Sequence, residues 1–378
     1  MRRYEIDAVR VFVFILLIFY HVGMFFVVWN WHVKNNVIVE FPEYPMYFVN
    51  RWRLHILFVV SGMGTFFALQ KRSAALFAWE RIKRLFIPLI FGILVIVPPQ
   101  VYFERLSKGE FEGSYFEYWT TIAFVGEYPT GNLSWHHLWF LPYLLTFSLI
   151  LIPLFIYLRN ENKKNNSNSF LDFVGKLFSS KFKIYYFVIP LYLLEGFLDP
   201  FFPVTHGFFG DYFTLANFGC YFFFGFLMML KQEEFWENVK TNKFFYLKVG
   251  VFCISMLYIR LLFFQDGIAV HFIEAVFSVI NTWSWILVIF GYAATYLQKG
   301  SKLLTYCNNA VYPFYILHQT ITVGIGYYLS DLNWNIAIKF TILVVGTFGI
   351  ALLIYEFLIR RWQIPRLLFG MKMKKNNS

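Results

Sequence analysis

The chain has 378 residues, of which 58% are hydrophobic, 23% aromatic and only 15% charged, with a formal net charge of +11. Charged residues make up about a quarter of an ordinary soluble domain, so the composition excludes one and fits a protein that crosses a membrane many times. Cys220, Cys253 and Cys307 lie in or beside apolar runs without C-x-x-C spacing, which leaves neither a disulfide framework nor a metal site to expect.

Runs of about 20 predominantly apolar residues are long enough to cross a bilayer as helices. Ten are expected in chain order, near 9–29, 52–70, 85–103, 138–158, 184–199, 212–230, 245–264, 268–297, 310–329 and 336–359. The fold class is therefore an all-α polytopic membrane protein of about ten transmembrane helices. One membrane domain is expected over 1–365, followed by a basic tail over 366–378. No small-residue cleavage site follows the first run, which leads through Asn30, Trp31 and His32 into a polar loop, so it reads as a retained span. With both termini cytoplasmic, 25 of the 33 Lys and Arg fall inside, five outside (Lys34, Arg51, Arg53, Arg105, Lys108) and three within spans. That asymmetry follows the positive-inside rule, and it explains the net charge without nucleic acid.

The first run carries the most informative residue, His21, deep in hydrocarbon with Arg10 and Asp7 at its other end. Ionisable groups at such depth are costly unless they face a cavity or a partner, so a functional role is the default reading. Eleven residues are close to three helical turns, so Arg10 and His21 share a face roughly 16 Å apart along the axis. The alternative is a histidine hydrogen-bonded to a neighbouring helix.

Span two opens on Arg53 and His55. After it, KRSAALFAWERIKRLFIP predicts a helix from Ser73 to Pro88 with Arg81 and Arg84 three apart on one face and Glu80 bracing Arg84. Paired guanidinium groups suit bidentate capture of phosphate; meeting lipid headgroups is the other use of that spacing. The loop 104–137 is aromatic and acidic, with Tyr115, Tyr118, Trp119, Glu110, Glu112 and Glu117. It reads either as a sugar-holding face or as an interfacial aromatic belt. The loop 159–183 is a polar Asn/Lys/Ser tract running into an interfacial amphipathic helix.

His137 opens span four, and His318 in YPFYILHQTI falls at the same mid-membrane level as His21. Glu356 falls near the inner depth of Arg10, and would pair with it if span ten packed beside span one. Glu195, Arg260, His271 and Glu274 are further candidates, each also readable as a structural pair between helices.

These residues together resemble the type-3 membrane acyltransferases. The opening RRYEIDAVRVFVFILLIFYH carries Asp, Arg and His at that family's spacing. NRWRLHILFVVSG, ERIKRLFIP, HHLWFLPYLL, YPFYILHQ and YEFLIRRWQIPRLLFGMK follow in order over nearly the whole chain. The chain looks most like the glucan biosynthesis protein C branch, with no appended hydrolase-like domain expected; His55 stands where the family commonly has proline. The resemblance implies transfer of an acetyl or succinyl-type group from cytoplasmic acyl-CoA to a hydroxyl of an extracytoplasmic glycan or glycolipid. It places the protein in the cytoplasmic or plasma membrane of a bacterium. It implies catalytic roles for His21, Arg10 and Asp7, coenzyme binding by Arg81 and Arg84, and supporting roles for Arg53, His137, His318 and Glu356. The rival reading is a proton-coupled transporter or flippase that uses the intramembrane His, Asp and Glu groups as a relay.

Overall fold

The computed structural model describes residues 3–164 and 168–373. Among them the chain is helical, without a β-strand beyond an isolated bridge between Glu127 and Leu133. Seven stretches are long and apolar enough to cross a membrane: Tyr4–Met24, Glu43–Gln70, Ala74–Ser107, Tyr212–Leu230, Gln232–Phe263, Ile268–Tyr296 and Ile336–Ile359. Two bent pairs, His136–Ile150 with Ile152–Lys163 (52°) and Ser169–Phe178 with Lys183–Phe197 (118°), raise the count to nine if each is one span. Length and composition thus identify seven to nine of the ten expected spans among the described residues. The one that falls short is 310–329, which lies in a 28-residue helix, Lys302–Leu329, long enough to cross but interrupted by His318, Gln319, Thr320 and Thr322.

Contacts sort the chain into two compact units. The first comprises Met1–Arg10, Phe48–Trp79 and Tyr143–Leu304. Its tightest seam joins helices Arg53–Gln70 and Tyr212–Leu230, whose backbones touch. A Cβ on Gly62 would lie 1.9 Å from the Phe222 carbonyl oxygen, and one on Gly225 would lie 2.0 Å from that of Val59. Lipid tails are as apolar as leucine, so close backbone approach over small residues replaces hydrophobic drive in holding such helices together. Helix Gln232–Phe263 begins well before the expected 245–264 span, because its polar first turns continue the same helix. The expected interfacial helix in 159–183 is Ser169–Phe178, capped by the Asn168 side chain and burying Leu171, Val174, Leu177 and Phe178. Residues 165–167 of that tract lie outside the described residues.

The second unit comprises Val11–Tyr47, Glu80–Pro142 and Thr305–Ser378. Its core gathers Val22, Phe25, Phe26 and Val33 with Val323, Leu329 and Leu343. Lys34 closes the end of the first helix by donating to the carbonyls of Met24 (2.9 Å), Trp29 (2.6 Å) and Val27. The last carbonyls of a helix have no intrahelical donor, and a cation there also meets the negative end of the helix dipole. The basic tail expected over 366–378 starts inside a further short helix, Gln363–Leu368, whose Arg366 donates to the Lys372 carbonyl, and 374–378 lie outside the described residues.

The Ala74–Ser107 run is not one regular helix. Two π turns, Ile82–Phe86 and Gly92–Ile96, break its register. Each precedes proline, which has no N–H and whose ring crowds the carbonyl four residues back. Those carbonyls find other donors. Tyr312 Oη donates to the Arg84 carbonyl (2.8 Å) opposite Pro88, and Trp119 Nε1 to the Leu94 carbonyl (3.0 Å) opposite Pro98.

Candidate active site

The second unit brings three of the expected histidines together. His21 Nδ1 lies 2.7 Å from His318 Nε2, with the two rings stacked at 4.9 Å. The His137 ring stands edge-on to His318 at 5.2 Å. The equal depth read from the sequence for His21 and His318 is thus a direct contact. Phe14, Tyr315 and Trp31 pack around the pair.

Hydrogen bonding fixes where the protons sit. His318 Nδ1 lies 2.7 Å from the Tyr315 carbonyl, an acceptor only, so this nitrogen carries the N–H. Neutral His318 then accepts at Nε2, and His21 must donate from Nδ1. In neutral His21 the lone pair consequently resides on Nε2. His137 is set the same way: Nε2 donates to the Ile316 carbonyl at 3.1 Å, leaving Nδ1 toward Gln100 at 3.5 Å. Tyr315 Oη donates to the His137 carbonyl at 2.5 Å.

A second polar chain adjoins the first. Gln100 and Glu104, four apart on helix Pro98–Ser107, are both fully buried. Gln100 donates to Thr320 Oγ1 at 2.7 Å and accepts from Gln319 Nε2 at 3.1 Å. Gln319 also reaches His32 Nε2 at 2.9 Å, and His32 Nδ1 lies 2.5 Å from Glu104 Oε2. The other Glu104 oxygen accepts from Lys108 (2.6 Å) and from Tyr128 Oη (3.0 Å). Burial and the neighbouring carboxylate hold the Tyr128 phenol well above its ordinary value, so it remains a donor. A buried network of this kind is stable only when each member is paired, and it then rigidifies what it touches. None of Gln100, Glu104, Gln319 or His32 stood out as a site residue in the sequence. Amides inside apolar runs carry no periodic signal, and Glu104 sits where a span passes into a loop.

The remaining candidates fall elsewhere. Asp7 and Arg10 lie 3.7 Å apart at the start of the first helix, in the first unit. Arg53 of that unit is buried and donates to Asn50 Oδ1 at 3.0 Å. Glu274 is bracketed by Arg51 (3.0 Å) and Arg260 (2.7 Å), and His271 Nε2 meets the Gly196 carbonyl at 3.2 Å. The Arg51–Glu274–Arg260 cluster and His271 read as structural ties. His55 packs its ring against Phe218 and Tyr221.

In the second unit, Glu356 accepts from Tyr306 Oη at 2.5 Å and pairs with Arg360 through both oxygens at 2.9 Å. These bonds tie Glu356 to its own helix end in the second unit, whereas Arg10 belongs to the first. Arg84 Nε donates to the Gly370 carbonyl at 3.0 Å. The regular helix expected over Ser73–Pro88 gives way at Arg81 to the π turn. The pitch that would set Arg84 one α-helical turn from Arg81 is therefore altered.

An acyltransferase domain model matches residues 3–356. Glucans biosynthesis protein C of Salmonella enteritidis PT4 is 23% identical to this chain, covering 97% of it and 94% of the relative. The protein of the same name from Salmonella agona matches to the same extent. No solved structure matches the chain. With nearly its whole length inside one domain model, the chain belongs to this acyltransferase family and is a membrane enzyme transferring acyl groups other than aminoacyl groups.

Proposed function

We propose that the protein moves an acetyl or succinyl-type group from cytoplasmic acyl-CoA to a hydroxyl of an extracytoplasmic glycan or glycolipid, with His21 as the base. The observation that carries this reading is the His21–His318 bond, 2.7 Å long and oriented by the Tyr315 carbonyl, which leaves the basic lone pair on His21 Nε2. A base must be neutral and correctly oriented before it can take a proton. His21 Nε2 takes the proton of the acceptor hydroxyl, the oxygen attacks the thioester carbonyl carbon, and the carbon–sulfur bond breaks. The departing thiolate then receives the proton from His21, leaving coenzyme A and the new ester. Arg10, roughly 16 Å along the first helix from His21, is assigned the contact with the coenzyme's phosphates.

The donor side is assigned to Arg81 and Arg84. Arg84 Nε donates to the Gly370 carbonyl, and guanidinium groups as a class suit bidentate contact with phosphate oxygens. The glycan acceptor is suggested by the name of the relatives. On this reading the chain has ten spans, counting Lys302–Leu329 as one, with both termini cytoplasmic; the coenzyme binds from the inner face and the acceptor from the outer.

The test gives radiolabelled acetyl- or succinyl-CoA to inverted membrane vesicles and analyses the envelope glycans by mass spectrometry. Label in a glycan that gains the corresponding mass supports the reading. Transfer undiminished in a well-folded His21→Ala variant removes His21 from the role, and a proton-coupled transporter would transfer no label.

A further inference from the structure

Three chain segments converge beyond the Gln319 amide. His32 comes from the loop after the first helix, Glu104 from helix Pro98–Ser107 and His136 from the start of a short helical turn. One ligand atom from each lies within 4.8 Å of the other two. The His32 and His136 rings meet edge-on at 4.5 Å, and Tyr128 closes the far side of His136 at 4.7 Å. His136 Nε2 is buried with no hydrogen-bond partner. A buried polar nitrogen left without a partner is unfavourable, and the His136 backbone is held at φ 39°, in the left-handed region. Such a residue is retained against its local preference when the surroundings or a ligand fix it.

We propose that His32, Glu104 and His136 bind a divalent transition-metal cation, Zn2+ being the ion that best suits two imidazoles and a carboxylate. Two histidines and one glutamate with a fourth position left open is a recurrent zinc donor set. A cation satisfies the buried His136 Nε2 and replaces the proton that His32 now shares with Glu104 Oε2. The proton of neutral His32 then moves to Nε2, where Gln319 turns its amide so that its oxygen accepts, giving up its bond to Gln100 Oε1. That bond fixes the ring as an outer partner commonly does at a metal site. On the other Glu104 oxygen, Lys108 and Tyr128 orient the carboxylate. The Lys108 side chain is 45% exposed, so water screens its repulsion of the ion. Sequence spacing gave no hint of this site because its ligands stand at 32, 104 and 136, far from any short metal motif. The inference is independent of the acyl-transfer reading, since its test measures metal and not turnover.

The full chain is purified in detergent, stripped with chelator and titrated with Zn2+ by calorimetry. Co2+ is used in parallel, because its visible absorption reports four-coordinate binding. One equivalent of Zn2+ per chain is expected, with a rise in unfolding temperature, since an ion bound to the folded form alone stabilises it. His136→Ala and Glu104→Gln are expected to weaken binding by about 100-fold or more, whereas His271→Ala leaves it unchanged. Binding well below one equivalent to the parent protein, or no Co2+ band, overturns the proposal whatever the variants do. So does a folded His136→Ala protein that binds like the parent.

Discussion

His21 and His318 form a pair whose value lies in which nitrogen holds the proton. The bond from His318 Nδ1 to the Tyr315 carbonyl at 2.7 Å is the outermost link of that chain. His21→Ala is expected to lower acyl transfer by at least about 100-fold, the usual contribution of a general base, with expression and detergent stability retained. His318→Ala keeps the base but removes its orienting partner. It is expected to reduce kcat while KM for donor and acceptor stays near the parent value, since tautomer control acts in the transition state rather than in binding. A rise in KM with unchanged kcat would make His318 a binding residue instead. The two histidines could be found from sequence because ionisable groups are conspicuous in hydrocarbon and depth can be counted along a helix. Their neighbours Gln100, Gln319 and Glu104 could not, because contacts between residues some 220 positions apart depend on which helices pack together. Glu356 shows the same limit: its depth can be counted along the chain, its partner Tyr306 cannot.

Helices here are set by where proline and glycine stand. Pro88 and Pro98 each follow a π turn, and each frees a carbonyl that an aromatic side chain then takes. The prolines are plain in the sequence, but whether a helix answers them with a kink, a π turn or a stop depends on which donor lies nearby. The face shared by Arg81 and Arg84 was drawn for a regular helix and is altered by this turn. Their chemistry is still testable: Arg81→Ala with Arg84→Ala is expected to weaken acyl-CoA binding in detergent about 100-fold or more, each charged contact contributing about 1.5–3 kcal/mol. Affinity equal to the parent's would return both residues to the lipid surface. Glycine sets the seam in the first unit. Gly62→Ala forces a methyl to within 1.9 Å of the Phe222 carbonyl oxygen, so helices Arg53–Gln70 and Tyr212–Leu230 must separate. Overpacking typically costs about 1–3 kcal/mol, read as a lower unfolding temperature in detergent. Adding Gly225→Ala, which meets Val59 across the same seam, is expected to cost less than its single effect, because the helices have already parted.

For the molecule as a whole, orientation turns on one helix. Seven spans and two bent pairs make nine among the described residues, and an odd number would put the two ends of the chain on opposite faces. Counting Lys302–Leu329 makes ten and returns them to the same face. That helix carries His318, Gln319 and Thr322, all buried, and so it fails a test of composition for the same reason that it serves the site. A helix that turns polar groups inward still meets lipid with its remaining surface, as the exposed Leu303 and Tyr328 are positioned to do. Charge decides between the counts. Arg360, Arg361, Arg366 and Lys372 follow the last span, and basic residues so near a membrane helix favour the cytoplasmic side. Fluorescent-protein and alkaline-phosphatase fusions after Met373 are therefore expected to report a cytoplasmic end, with fluorescence and no phosphatase activity. Fusions within 108–114 are expected to report the opposite face. An active phosphatase at the chain's end would make Lys302–Leu329 a helix that does not cross, and would leave His318 reaching His21 from a re-entrant element.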